Sequence, residues 1–182
     1  MVSETTALER LQTKRERLSE IVYCLTPGHV APGILVREIM TPRPSCLDAG
    51  TSLLELVSLF HEQQFRHLLV TDEAGRLVGV ISDRDVIRRF PPGESPDEEF
   101  LRGITAAEIM STDVVSIESS RPVAHALQIM FDFGIHCLPV VDAERLVGIL
   151  TSTDLYAVLQ VLLDPAWAAS RAESSAAAPC GR

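Results

Sequence analysis

VREIMTPRPSCLDAGTSLLEL (residues 36–56) and AAEIMSTDVVSIESSRPVAHA (residues 106–126) stand 70 residues apart and read as two versions of one passage around a shared EIM. Working outward, FRHLLVTDEAGRLVGVISDRD (65–85) returns as IHCLPVVDAERLVGILTSTD (135–154), one residue shorter at the turn near Gly75, with RLVG and a closing aspartate in common. Repeated units this small bury too little apolar surface to stand alone, so the pair is expected to fold as one unit around a shared core.

Both copies carry the same order of elements. A short strand (45–47 or 114–117) precedes a helix whose apolar positions, Leu53, Leu56, Val57 and Phe60 or Val123, Leu127 and Met130, recur at helical spacing. Two β-rich runs follow, 67–71 and 77–82 across the turn-forming DEAG, matched by 138–141 and 146–151. A second helix begins near Asp83 or Ser152. The fold class is therefore α+β, as two tandem β-α-β-β-α repeats at 34–92 and 104–163, joined by a polar linker at 93–103. Residues 1–33 are expected to form an N-terminal helical extension, because Leu8, Leu11, Leu18, Ile21, Val22 and Leu25 fall along one helical side. Residues 164–182 have too few large apolar side chains to order themselves and are expected to form a flexible tail.

Composition narrows the function classes. With 182 residues, 46% of them hydrophobic, and a formal charge of -9, the chain lacks the positive field that nucleic acid or an anionic membrane selects. No apolar run approaches the roughly 20 residues of a membrane span, and the start lacks an apolar leader, so a cytoplasmic location is expected. Cys24, Cys46, Cys137 and Cys180 show no CxxC spacing and the five histidines no HExxH pair, which argues against a disulfide framework or a metal site. His136 and Cys137 are adjacent on a strand and point to opposite faces. No nucleophile and base, and no carboxylate pair on one helical face, stand at a spacing that catalysis requires. Gly79 and Gly148 are single strand residues and not a phosphate loop. The chain is read as a non-enzyme that requires no cofactor.

The IMT passage before a strand, the strand HCLPVVD with its weaker copy RHLLVTD, and the closing GVISDRD and GILTSTD segments together resemble the CBS domain family over residues 34–160. That resemblance implies a stand-alone, bacterial-type CBS pair with a pseudo-twofold axis, helices on both sides of a paired sheet, two clefts, and assembly as a homodimer. It also implies a ligand of the AMP, ADP or ATP class, with S-adenosylmethionine or a dinucleotide as alternatives. The function implied is a regulatory sensor that passes ligand state to an unidentified partner protein. The alternative is an interaction scaffold with empty clefts.

The site residues follow from the same segments. Ser82-x-x-Asp85 and Thr151-x-x-Asp154 stand where strand gives way to helix. Their carboxylates suit the two ribose hydroxyls, and the same pattern suits a helix capping box. Arg66, His67 and His136 resemble the family's phosphate-contacting basic pair, and Arg84 lies on the next helical turn. Repeat 2 has Cys137 and Thr153 where repeat 1 has His67 and Arg84, so repeat 1 is expected to be better equipped for phosphate. The family resemblance places adenine against the segments at 41–45 and 111–115, including Thr41, with Val80 and Ile149 on the hairpins. Two positions depart from the family pattern. Leu69 replaces a strand proline, and Arg121 replaces Thr51, read as a helix cap whose loss costs about 1 kcal/mol unless Ser120 substitutes.

Overall fold

The computed structural model describes residues 33–90 and 96–163, together with Thr13. Apart from Thr13, which is helical, and Gly33, the expected N-terminal extension lies outside the described residues, as does the expected flexible tail. The first repeat runs α1 (Val36–Ile39), β1 (Thr41–Pro42), β2 (Cys46–Leu47), α2 (Leu53–Gln63), β3 (His67–Thr71), β4 (Leu77–Ser82) and α3 (Asp83–Ile87). A short helix α4 (Glu98–Gly103) occupies part of the expected linker, capped by Asp97, whose side chain accepts from Phe100 N. The second repeat continues as α5 (Ala106–Ile109), α6 (Val123–Phe133), β5 (Cys137–Asp142), β6 (Arg145–Thr151) and α7 (Ser152–Leu163). The mixed fold expected from the duplicated pattern is therefore present, with an added helical turn at each EIM passage, but the strand expected at 114–117 does not form: Ile117 makes only an isolated parallel bridge to Val140.

The hairpins form as their alternation predicts, β3 with β4 and β5 with β6, both antiparallel and both bulged near the turn. Gly75 takes φ 76° at the first turn, whereas the shorter second turn places Ala143 and Glu144 at φ 47° and 65°. The two sheets are ordered β2-β3-β4 and β1-β6-β5. Their composition reveals a crossing: β1 belongs to the first repeat in sequence but pairs with β6 of the second, Thr41 opposite Ile149. An isolated bridge between Val80 and Ser111 makes the reciprocal connection.

Packing follows the crossing. Val36 and Ile39 are buried with Leu138, Val140 and Leu150 of the second repeat, while Ala106 and Ile109 are buried with Leu53, Leu68 and Ile81 of the first. The single shared core expected from the sequence is thus two cores, each completed by a helix from the other repeat. Burial of a large aliphatic side chain contributes roughly 1.5–3 kcal/mol, so neither repeat keeps its full core without the other. This physical dependence joins the pair.

The crossing also explains a misread cap. Ser52, not Thr51, is the N-cap of α2, receiving Glu55 N at 3.3 Å while its own N–H donates to Glu55 Oε2 at 2.9 Å. Its counterpart Pro122 offers no side-chain cap. Backbone groups at both starts are instead satisfied across the repeats: Leu53 N donates to Ile104 O and Val123 N to Ile34 O, each at 2.8 Å. The carbonyls of Thr51 and Arg121 accept from Ala106 N and Val36 N, at 2.8 and 2.9 Å. Arg121 therefore forfeits no side-chain cap, because any residue supplies that carbonyl.

Gly79 and Gly148 have a steric reason. A Cβ on Gly79 would lie 2.5 Å from Met110 Sδ and 3.0 Å from Met110 Cβ, and Gly148 faces Met40 equivalently. The methionine of each EIM passage thus rests on the glycine of the other repeat's hairpin. Gly79→Ala is expected to lower stability by about 1–3 kcal/mol through overpacking, measured by urea denaturation followed by circular dichroism. An unchanged midpoint would show that Met110 moves aside freely.

Candidate functional site

Two cavities flank the line where the repeats meet. The larger, about 520 Å³, receives Thr41, Arg43 and Arg66 from the first repeat and Ile149, Thr151 and Asp154 from the second. The smaller, about 300 Å³, receives Val80, Ser82, Arg84 and Asp85 from the first repeat and Ser111 and Asp113 from the second. Each cleft thus pairs the residues just after one EIM passage with the other repeat's S/T-x-x-D turn, a direct result of the crossed strands. Arg66, His67 and His136 border both.

All eleven sequence-selected positions lie on these two clefts, but the structure sorts them in a way that the repeat boundaries did not reveal. Arg66 and His67 face Asp154 as well as Asp85, whereas Arg84 lines the Asp85 cleft alone among the two. The basic side chains expected to serve repeat 1 are consequently divided between the two clefts. Leu69 is fully buried and lines the larger cleft, where its counterpart Pro139 lines the smaller, so the departure at this strand does change one cleft wall. Arg43, inside the 41–45 segment but not among the expected site residues, enters the larger cleft. It sits at φ 49°, its N–H held by Val147 O at 3.1 Å. The available signal was the charge inversion from Arg43 to Asp113 at equivalent repeat positions.

The S/T-x-x-D turns do act as caps. Ser82 N donates to Asp85 Oδ2 at 2.9 Å and Ser82 Oγ donates to the same oxygen at 2.6 Å. Thr151 N and Oγ1 reach Asp154 Oδ2 at 2.6 and 3.0 Å. In both turns Oδ2 takes these local hydrogen bonds, and Asp85 Oδ1 lies 3.7 Å from Arg88 Nη1. Asp154 is 5% exposed, and it is the buried charged side chain of the described residues. A buried carboxylate bordering a cavity of this size is a strong acceptor for paired hydroxyl donors.

Titration of the surrounding groups has identifiable causes. Burial pushes the Cys137 thiol up to about 12, with the Asp154 carboxylate adding to the effect, so this thiol stays protonated. Burial lowers the His67 imidazole from its usual 6.5, helped by Arg66 and His136 and opposed by Asp83 and Asp85. The folded protein therefore resists a proton that the unfolded chain accepts. Stability is expected to decline as pH falls from 7.5 through 6.5 toward the lowered folded value, and His67→Asn should remove that portion of the slope. Urea midpoints between pH 5.5 and 7.5 measure it; identical slopes in both proteins would contradict the burial of His67. Among the described residues no three His, Cys, Asp or Glu side chains converge as a metal would need. No helix among them is long and apolar enough to cross a membrane.

A family model described as the CBS domain matches residues 36–91 and again 106–161. The chain belongs to the CBS domain family. Its fold is that of CBS pairs: the pair from protein MJ0100, in complex with 5′-methylthioadenosine and S-adenosyl-L-methionine, is 29% identical with a TM-score of 0.61. That alignment covers 70% of this chain and 97% of the other. CBSX2 in complex with AMP is 28% identical, TM-score 0.61, over 71% of this chain and 99% of that one. The cytosolic domain of the Mg2+ channel MgtE in complex with ATP is 31% identical, TM-score 0.55, over 66% of this chain and 47% of that one. Among full-length relatives, the L-aspartate semialdehyde sulfurtransferase of Methanocaldococcus jannaschii is 30% identical over 126 residues. The match takes in 69% of this chain and spans 23% of that enzyme. An uncharacterized protein of Methanopyrus kandleri is 31% identical over 67% of this chain, which spans 58% of its length.

Proposed function

We propose that this CBS pair is a non-catalytic sensor that binds an adenosine nucleotide in the Asp154 cleft and transmits its occupancy to a partner protein. The observation that carries the reading is the convergence in one cavity of a buried carboxylate, Asp154, with two arginines, Arg43 and Arg66, from the other repeat. The carboxylate suits the ribose hydroxyls, the arginines suit phosphate, and the apolar Leu69 and Ile149 suit the adenine face. A ligand touching both repeats at once favours the arrangement in which they are closed upon it. Solved relatives that bind AMP, ATP and S-adenosylmethionine support the ligand class. Calorimetric titration of the full chain with AMP, ATP and S-adenosylmethionine tests it. Saturable binding of at least one is expected, and no heat from any of them at millimolar concentration on folded protein overturns the reading.

A second reading, assembly as a homodimer, is favoured by the apolar side chains that α6 and α7 expose. Phe131 is 85% exposed, Tyr156 65% and Leu159 50%. Residues of this size left in water mark contact surfaces. Sedimentation equilibrium is expected to give twice the chain mass, and Phe131→Glu to reduce it to one.

A further inference from the structure

We propose that the two clefts select ligands by charge. The Asp154 cleft takes a phosphate-bearing nucleotide, and the Asp85 cleft takes an adenosyl compound whose 5′ substituent is uncharged or cationic, such as a thioether or sulfonium. This rests on the adenosine reading above and assigns a ligand class to each half of it.

The pseudo-symmetry of the repeats makes position-by-position comparison meaningful. Thr41 pairs with Ile149 across the repeats and Val80 with Ser111, so the backbone holds residues 43 and 113 at matching places, two steps beyond each pairing. At that place one cleft has Arg43 and the other Asp113, a full inversion of charge. At the first position of the following helix the Asp154 cleft has Ser152, where the Asp85 cleft has Asp83. The third difference runs the other way, with Thr153 opposite Arg84, and it does not cancel the first two. Among the described lining residues, the Asp154 cleft thus sets Arg43 and the shared Arg66 against one carboxylate, while the Asp85 cleft sets Arg84 and the same Arg66 against three, of which Asp85 also lies 3.7 Å from Arg88.

Arg66 is also spoken for on one side. Its Nε lies 3.7 Å from Asp83 Oδ2, and Asp83 N is held by Arg66 O at 3.2 Å, which fixes that carboxylate beside the smaller cleft. A phosphate entering there meets Asp83 and Asp113, and like charges brought together at one cleft repel. A sulfonium or thioether avoids this. The shared wall of Arg66, His67 and His136 adds a coupling: an anion in the larger cleft engages the common cation and leaves less positive potential for a second anion. One phosphorylated ligand per chain is the outcome.

The test is stoichiometry on the full chain by equilibrium dialysis. AMP is expected to saturate at one per chain, reduced by Asp154→Asn and not by Asp85→Asn. With AMP saturating, 5′-methylthioadenosine should add one further equivalent that Asp85→Asn weakens about tenfold or more. Asp113 is exposed, so Asp113→Arg leaves the core intact, verified by an unchanged melting temperature, and is expected to raise AMP to two per chain. Two AMP on the wild-type chain with equal affinity, no second equivalent of the thioether, or one AMP on Asp113→Arg each overturns the charge selection alone. Absence of binding by both compounds overturns the adenosine reading beneath it.

Discussion

Replacing Ile39 by alanine is expected to lower stability by about 2–5 kcal/mol and to loosen the second repeat, although Ile39 lies in the first. Ile39 is 1% exposed and packs in the cluster of Leu138, Val140 and Leu150. Removing its side chain leaves a void that strands held on both sides cannot collapse to fill. Native-state hydrogen exchange locates the damage: amides of β5 and β6 should lose protection before those of β3 and β4. Ile109→Ala should reverse the order, because Ile109 packs with Leu53, Leu68 and Ile81. Loss confined to the repeat that carries each mutation would contradict the crossed cores.

Asp154→Asn is expected to weaken nucleotide binding roughly 10- to 150-fold while moving the melting temperature little. A hydrogen bond to a charged acceptor contributes about 1.5–3 kcal/mol, and the asparagine oxygen still accepts from Thr151 N and preserves the cap. Asp154→Ala removes both roles and should lower affinity and stability together. The pair of variants separates ligand binding from capping, and equal affinity of wild type and Asp154→Asn for AMP would leave capping as the only role.

The fold was legible because duplication doubles every weak signal. EIM, RLVG and the closing aspartates identify two hairpins and their helices, and those elements are where the periodicity placed them. The crossing was not legible. Nothing in a linear reading says that Val36 and Ile39 bury themselves against Leu138, because that contact is decided by tertiary packing rather than by local propensity. The same gap explains the site. Ser82, Asp85, Thr151 and Asp154 stood out by pattern, but ownership of Arg66, His67 and Arg84 depends on which EIM passage covers which hairpin. Arg43 is not legible as a site residue from sequence, because its place, two residues past a cross-repeat pairing, acquires meaning only once that pairing is known. Side-chain type alone does not distinguish Thr51 from Ser52 as the cap of α2; the structure places the cap one residue later, at Ser52.

The most direct measurement is nitrogen–proton NMR of the full chain during addition of AMP. Saturable shifts are expected at Thr41, Arg43 and Ser45, at Arg66 and His67, and in the Thr151 to Asp154 turn, all of which line one cleft. Shifts absent from that turn, or centred on the exposed faces of α6 and α7, would contradict nucleotide binding in that cleft.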